Sequence, residues 1–372
     1  MIVSSEARKV LAMLRERHNV LITGAPGTGK TRLANQVREA FKMTAPLPFD
    51  KNGPIPFPKD QTAVPDDIAE WLPSPDRRDR RVFSTVFHQA TKHRDFVCGL
   101  APVPGGQSLT FRVQRGTLFQ AAEHAQSPDG ASLLVVEEIN RGPAVAAFGG
   151  SIVAFEGDKR LSPNSEILPT TTFFEVLDDS GLPISYALPY SLYLVATMNQ
   201  ADTSVESLDV AFMRRWARYR LTPNSSVLLD FFGLKGTEIQ PEVASEGQHV
   251  YAAAVAAWKA VNDRISIGRD PEFQIGHGVL MTNSSPPSDP VAAAAYILQG
   301  WETLRSHVEE VFFGDVLAIA EVLNVGPHNP SHAARLVDHE FAGGVKSELV
   351  IPPITVHNLY ALLKAIAGPV RP

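Results

Sequence analysis

The octapeptide at residues 24–31, Gly-Ala-Pro-Gly-Thr-Gly-Lys-Thr, matches the pattern G-x-x-x-x-G-K-[ST] at each fixed position. Glycines let the backbone of such a loop approach a phosphate closely, so that its N–H groups can donate to the phosphate oxygens. Lys30 can reach the outer phosphates, and the Thr31 hydroxyl can ligate Mg²⁺. The pattern therefore predicts a nucleoside-triphosphate site. The residues expected to contact the nucleotide are Gly24, Ala25, Pro26, Gly27, Thr28, Gly29, Lys30, Thr31 and Arg32.

The residues on either side of this loop favour nucleotide binding over the alternative, a glycine-rich turn that binds nothing. Residues 19–23 are typical of a short buried strand, and residues 31–40 are typical of a helix. A phosphate-binding loop requires this order of strand, loop and helix. The positive end of the helix that follows also favours an anion.

Two adjacent carboxylates, Glu137 and Glu138, follow the apolar run at 133–136. In phosphate-loop enzymes one acid of such a pair holds the metal through water, and the next polarises the attacking water. Acids end many strands, so the pair alone is a weak signal. Together with the loop, it predicts a metal-holding and water-activating element.

Two further polar sites follow later in the chain. Asn199 ends the next apolar strand, where an amide can orient the water or the γ-phosphate. Arg214 and Arg215 end a predicted helix and could stabilise transition-state charge on the nucleotide of a neighbouring subunit. The alternatives are a strand-ending turn for Asn199 and, for the arginines, favourable placement of cations at a helix C-terminus.

Strands and helices alternate through the first 221 residues, which predicts a parallel sheet covered by helices. The predicted strands are 19–23, 82–87, 132–136 and 192–196. The first helix is expected to be capped by Ser4 or Ser5 and to end near Arg17. Further helices are predicted at 31–40, 117–124, 143–156 and 205–216. Two hairpins are predicted within 99–116, with turns at 104–106 and 114–116, and within 172–186.

Residues 45–75 contain eight prolines. This density disfavours a regular helix or a central strand, so the segment is predicted to be a long surface excursion. The basic run at 76–81 that closes it is interpreted as a solvated face, with contact to nucleic acid as the alternative.

From Thr222 onward the pattern is helical, with helices predicted at 250–265, 291–311 and 316–323. Residues 222–325 are predicted to form a separate helical domain. For residues 326–372 the pattern indicates only one amphipathic helix, at 356–366.

Bulk properties narrow the class of protein. The 372 residues carry a formal net charge of -6 and a pI near 6.0, which argues against a histone-like nucleic-acid binder. The single cysteine, Cys98, cannot form an intramolecular disulfide and suits a reducing compartment. The chain has no apolar run long enough to span a bilayer and no signal-peptide pattern at its N-terminus, so a cytoplasmic location is expected.

The phosphate loop, the acid pair, Asn199 and the paired arginines, in this order and spacing, resemble an AAA+ ATPase. More narrowly, they resemble the McrB type, the motor subunit of McrBC modification-dependent restriction systems. Residues 138–142 (Glu-Ile-Asn-Arg-Gly) are similar to that family's D-E-I-N-R-G/A element, and residues 198–204 (Met-Asn-Gln-Ala-Asp-Thr-Ser) to its M-N-T-A-D-R-S signature. Further resemblance lies at 87–99, 273–277 and 308–315, so that it extends from about Leu21 to Asn324.

This resemblance implies a fold and a set of roles. The fold would be an AAA+ α/β core (1–221) with a proline-rich insertion (45–81) and hairpin insertions that face a ring pore. A small α-helical lid (222–325) and a C-terminal extension (326–372) would follow. Lys30 and Thr31 would bind phosphate and Mg²⁺, Glu138 would activate water, and Asn199 would be the polar sensor. Asp202 would bind from the signature loop, and Arg214 or Arg215 would act in trans as an arginine finger.

Three positions depart from the family's pattern. Glu137 stands where the metal-holding Asp is usual, and its extra methylene must move the carboxylate or the ion. Thr203 replaces an arginine of the signature, and Gln200 replaces a small hydroxyl residue. Slow hydrolysis is therefore expected.

The function implied is a GTP- or ATP-driven ring, expected as a hexamer, that works with a McrC-like nuclease subunit in DNA restriction and phage defence. No nuclease pattern was found in the chain. Only 23 residues precede Gly24, so DNA recognition is expected from the complex, the pore hairpins or a fused region. The alternatives are a MoxR-like protein-remodelling chaperone and a nucleotide-dependent assembly protein with weak turnover.

Overall fold

The computed structural model describes residues 3–44, 67–103, 110–199, 208–238, 240–282, 284–330 and 332–368. The predictions for Gln200, Asp202 and Thr203 therefore lie outside the described residues. The chain divides into two compact units. One consists of Met1–Thr23 and Lys30–Arg220, and the other of Gly24–Gly29 and Leu221–Pro372.

A five-stranded sheet organises the first part of the chain. Its strands are β1 (Asn19–Gly24), β2 (Asp79–Val86), β5 (Gly130–Glu137), β8 (Leu192–Asn199) and β9 (Ala217–Leu221). Their order across the sheet is β2-β5-β8-β1-β9. β5 pairs in parallel with both β2 and β8. β5 and β8 are buried along their whole length except for the last residue. The predicted parallel α/β sheet is confirmed, and the strand β9 was not predicted.

The helices of the first unit are α1 (Ser5–Arg17), α2 (Lys30–Phe41), α3 (Ile68–Trp71), α4 (His93–Phe96), α5 (Thr117–Gln126), α6 (Ala144–Phe148) and α7 (Val210–Met213). Of these, α1, α2 and α5 contact strands of the sheet. The α1 cap is confirmed, since the N–H of Ala7 donates to the Ser4 hydroxyl at 3.2 Å.

Two of the helix predictions are wrong in extent, and one helix was not predicted. The helix predicted at 143–156 ends at Phe148, because Gly149 adopts a left-handed φ of +53° and only short 3-10 turns follow. In the described part of 205–216, only α7 is helical. Within the proline-rich region, α3 forms where no helix was expected, and its buried Trp71 lies under the Arg8 guanidinium.

Both predicted hairpins are present in the first unit. β3 (Cys98–Val103) pairs antiparallel with β4 (Thr110–Arg115), and β6 (Phe174–Leu177) pairs antiparallel with β7 (Pro183–Tyr186). The turn predicted at 114–116 is wrong, because Gln114 and Arg115 belong to β4.

The basic run at 76–81 is a solvated face at four of its six positions, as predicted, but Arg80 within it is buried and acts as an anchor. Arg80 is 8% exposed and donates to the carbonyl oxygens of Phe41 at 2.6 Å, Ser74 at 2.6 Å and Pro73 at 2.8 Å. Burial lowers the pKa of Arg80 to about 10. Arg81 pairs with Asp79 at the surface. The contacts of Arg80 tie the end of the proline-rich region to the end of α2.

The second unit is mainly helical, as predicted. Its helices are α8 (Ser225–Phe232), α9 (Gly247–Gly268), α10 (Pro290–Val311), α11 (Val316–Val322) and α12 (Leu359–Ala367). α12 lies in the same apolar core as α9 and α10. Arg264 of α9 donates to the carbonyl oxygens of Val322 at 3.1 Å and Ile366 at 2.9 Å. An unpredicted hairpin, β10 (Arg335–Phe341) and β11 (Gly344–Val350), completes the unit.

None of the helices in the described ranges has the length and apolarity that a membrane crossing would require.

Candidate functional site

The loop at residues 24–29 has the backbone that the glycine pattern predicts. Gly27 and Gly29 have φ values of +77° and +89°, a left-handed region that favours glycine. The Thr28 hydroxyl and N–H both donate to the Ala25 carbonyl, at 2.8 and 3.3 Å, which closes a tight turn.

A second turn, residues 276–278, packs directly on this loop. The N–H of Gly276 donates to the Pro26 carbonyl at 2.7 Å, and the N–H of Gly278 donates to the Gly27 carbonyl at 2.9 Å. A Cβ atom at Gly276 would lie 2.0 Å from the carbonyl carbon of Gly27, so no larger residue fits without movement. Sequence reasoning found this segment by resemblance but missed its contact; the signal available was the pair of glycines around His277.

The helix α2 starts at Lys30, a residue that is only 8% exposed. Burial lowers the pKa of Lys30 to about 8, and the negative charge of Glu138 partly opposes this shift. The amine is therefore still mainly protonated at neutral pH and lies close enough to Glu138 to feel its charge. The next two predicted contacts, Thr31 and Arg32, are exposed at the start of the helix.

Glu138 and Asn199 lie close together at the carboxyl ends of β5 and β8. Because β5 and β8 are parallel neighbours, their carboxyl ends lie side by side. The Asn199 amide Nδ2 is 3.2 Å from each carboxylate oxygen of Glu138, so it donates to this carboxylate. Glu138 itself has a left-handed φ of 52°, and its N–H donates to the Thr197 hydroxyl at 3.2 Å. Such a conformation costs a non-glycine residue about 1–3 kcal/mol and is frequent at functional sites.

Asn140 supports this pair and was not selected from the sequence, although it lies within the motif at 138–142. It is 4% exposed, and its Nδ2 donates to the Asn199 carbonyl at 2.9 Å. The Oδ1 atoms of Asn140 and Asn199 are buried and accept no hydrogen bond from the described part of the chain. Unsatisfied buried acceptors are costly, so two of them beside the carboxylate indicate a place for a further donor.

Glu137, the predicted metal-holding acid, forms an ion pair with Arg38 of α2. The Arg38 Nη2 lies 2.5 Å from the Glu137 Oε1, and the two side chains are only 20% and 25% exposed. The other terminal nitrogen of Arg38, Nη1, donates to the Asn35 side-chain oxygen at 2.9 Å. Sequence reasoning missed Arg38, since nothing in the pattern of α2 distinguishes it from a surface arginine.

The two predicted finger arginines differ in their surroundings. The Arg215 side chain is 11% exposed; its Nε is 2.8 Å from Glu156, and its Nη1 donates to the Ala211 carbonyl at 2.5 Å. Arg214 is exposed, and its side chain makes no hydrogen bond or ion pair with any residue that the structure describes. Both line a cavity of about 460 Å³ whose other lining residues include Arg17, Asp158 and Tyr190.

A separate group of Asp79, His124 and Ser132 has polar atoms at contact distance. The His124 Nδ1 is 2.8 Å from the Ser132 hydroxyl, and its Nε2 is 3.0 Å from the Asp79 carboxylate. Ser132 is fully buried within β5, so no substrate can reach its oxygen. The group is therefore a structural contact and not a nucleophile.

The parallel sheet, the phosphate loop and the acid–asparagine pair at the strand ends confirm the predicted α/β class and fit an AAA+ core followed by a helical part. The chain is 24% identical over 215 residues to the Type IV methyl-directed restriction enzyme EcoKMcrB subunit of Escherichia coli (strain K12), covering 58% of this chain and 37% of that protein. It is 26% identical over 204 residues to the Type II restriction enzyme BsuMI component YdiS of Bacillus subtilis (strain 168), covering 54% and 55%. These similarities confirm the resemblance to McrB-type AAA+ proteins of restriction systems.

The matched regions are partial, since the chain spans 37% of the first relative and 55% of the second. No family model matches the chain. NtrX from Brucella abortus, a solved structure, is 10% identical with a TM-score of 0.31, covering 86% of this chain and 64% of that one. A TM-score of this size is too low to assign a fold.

Proposed function

We propose that this chain is an AAA+ nucleoside triphosphatase that binds and hydrolyses GTP or ATP. The observation that carries the proposal is the contact of Asn199 with Glu138, beside Lys30. In this arrangement the Glu138 carboxylate accepts a proton from the attacking water, and Asn199 holds the carboxylate in place. Lys30 supplies positive charge to the outer phosphates.

The residues present also fit Mg²⁺. Glu137 offers a carboxylate at the end of β5, where it is paired with Arg38, and Thr31 offers an exposed hydroxyl at the start of α2. Thr31 and Glu137 would hold the ion, which when bound neutralises charge on the β- and γ-phosphate oxygens. Asp202 remains a proposed nucleotide contact from the signature loop.

Assembly into a ring, expected as a hexamer, follows from the trans-acting arginine. Of the two candidates, Arg214 is the one whose side chain is exposed and available to a neighbouring subunit, whereas Arg215 is held by Glu156. Arg214 would therefore stabilise transition-state charge on the neighbour's nucleotide, and Arg215 would shape the surface that carries it.

The biological setting proposed is DNA restriction and phage defence, with a McrC-like nuclease subunit as partner and DNA contacted through the complex. Support comes from the names of both relatives, which are components of restriction enzymes. A second candidate, a nucleotide-dependent assembly protein with weak turnover, is favoured by the Arg38–Glu137 ion pair, because this pair engages the predicted metal-holding acid.

Turnover of ATP and GTP by the purified chain, alone and with a McrC-like nuclease subunit added, tests the proposal. Native protein should hydrolyse one of them, Glu138→Gln should bind it without hydrolysis, and Lys30→Ala should lose binding. Turnover that survives Glu138→Gln would refute the assignment of the base. Binding without turnover, with or without the partner, would favour the assembly protein.

A further inference from the structure

Each of the two acids at the end of β5, Glu137 and Glu138, has a positively charged side chain beside it. Glu138 lies within the field of Lys30, and its Oε2 is 3.4 Å from the Nε of Arg141. Glu137 is paired with Arg38 at 2.5 Å. A divalent cation that enters this site therefore meets little net negative charge, although two carboxylates are present.

The length of the Glu137 side chain allows its carboxylate to reach the guanidinium of Arg38. An aspartate at position 137 would be one methylene shorter, so its carboxylate would be drawn back from the guanidinium. Arg38 is oriented by its bond to Asn35, and its Nε is buried and makes no hydrogen bond to the described residues. Both partners are about four-fifths buried, where charge interactions are screened less than at the surface.

We propose that Arg38 is a positioning residue that sets the Mg²⁺ requirement of the nucleotide site by neutralising and holding Glu137. This inference rests on the proposed nucleotide binding. Mg²⁺ can use the Glu137 carboxylate only against the charge of Arg38, or after the ion pair opens. The native site therefore binds Mg²⁺ at a higher Mg²⁺ concentration than the carboxylates of Glu137 and Glu138 would need without Arg38.

The test measures the affinity of the full chain for fluorescent ATP and GTP analogues, first in EDTA and then across a Mg²⁺ series. Arg38→Gln removes the charge and keeps a polar side chain. It should lower the Mg²⁺ concentration at half-effect by about tenfold, equivalent to 1.4 kcal/mol. Arg38→Lys keeps the positive charge, so its Mg²⁺ concentration at half-effect should stay near that of the native chain. If the guanidinium had only a structural role, the lysine variant would not be expected to retain the native value.

The matched control is Lys42→Gln, which removes a cation just after the same helix. Lys42 pairs with Glu39 at 2.7 Å, but the two side chains are 50% and 55% exposed. Its loss should leave the Mg²⁺ dependence unchanged. Glu137→Asp is a second test of the same ion pair. The shorter side chain is withdrawn from Arg38, so this variant should also have a lower Mg²⁺ concentration at half-effect.

An unchanged or higher Mg²⁺ half-point in folded Arg38→Gln overturns the inference, and if that variant does not fold, an unchanged half-point in Glu137→Asp does so. If native chain binds nucleotide no better than Lys30→Ala at any Mg²⁺ concentration, the proposed function fails as well. Nucleotide binding with an unaltered half-point refutes only the role of Arg38.

Discussion

Removing the Asn199 amide should separate catalysis from nucleotide binding. Asn199 lies at the end of β8, and its Nδ2 is 3.2 Å from both oxygens of the Glu138 carboxylate. Asn199→Ala deletes this contact, and the carboxylate loses the donor that holds it. The strand itself should persist, because the preceding residues of β8 are buried and paired with β5.

The expected magnitude follows from the geometry of the contact. A hydrogen bond to a charged group contributes about 1.5–3 kcal/mol, and a bond of 3.2 Å lies towards the weaker end of this range. If the contact acts in the transition state, hydrolysis should fall by about 10- to 100-fold. Nucleotide affinity should change by less than about threefold, because Lys30 and the loop remain intact.

Single-turnover hydrolysis measured beside equilibrium nucleotide binding distinguishes the two effects. Asn199→Asp should be more damaging than Asn199→Ala, since a second carboxylate beside Glu138 favours a shared proton over a free base. Asn164→Ala, at an exposed position of the first unit, is the control and should behave as native. Native-like hydrolysis by Asn199→Ala, or a loss of binding as large as that of Lys30→Ala, would refute the role assigned to the amide.

Three further predictions follow from single side chains. In the assembled protein, Arg214→Ala should lower turnover at least tenfold without lowering thermal stability. Arg215→Ala should instead lower the melting temperature, because it breaks the contact with Glu156. Equal turnover in Arg214→Ala and native protein would refute the assignment of Arg214 as the arginine finger. Because the pKa of Lys30 is lowered to about 8 and phosphate binding needs the protonated amine, nucleotide affinity should fall about tenfold from pH 7 to pH 9. Lys30→Arg should bind with no such fall, and an equal pH dependence in both would contradict this reasoning. Arg80→Met removes the guanidinium that donates to the carbonyl oxygens of Phe41, Pro73, Ser74 and Arg77, and it should lower the free energy of unfolding in urea by about 2–4 kcal/mol. Arg81→Met, at the exposed neighbouring position, should leave the free energy of unfolding unchanged.

The local elements could be predicted where the pattern reports burial directly. β5 and β8 are apolar runs that lie buried at the centre of the sheet, and α1 shows an apolar face behind a serine cap. The failures lie where glycine geometry or distant contacts decide. Gly149 and Gly150 interrupt an otherwise helical pattern at 143–156, and Arg80 looks solvated until the carbonyls around it are known. The hairpin of β10 and β11 is largely exposed and leaves little apolar alternation to detect.

In the candidate site too, residues within short motifs could be predicted from the sequence, whereas residues defined by distant contacts could not. The octapeptide at 24–31, the acids at 137 and 138 and Asn199 could be selected from the sequence, because each stands in a short motif with a known physical role. Asn140 and Arg38 could not be, since their importance depends on partners 59 and 99 residues away. The choice between Arg214 and Arg215 also required the position of Glu156.

By itself, then, the sequence determined the class of chemistry, because a phosphate loop is defined by residue types that are contiguous along the chain. Only the tertiary structure decided how that chemistry is adjusted. The parallel pairing of β5 with β8 brings Asn199 to Glu138, and the packing of α2 brings Arg38 to Glu137. The charge that a carboxylate presents to a metal depends on which cation lies beside it in space, and no local pattern in the chain specifies that neighbour.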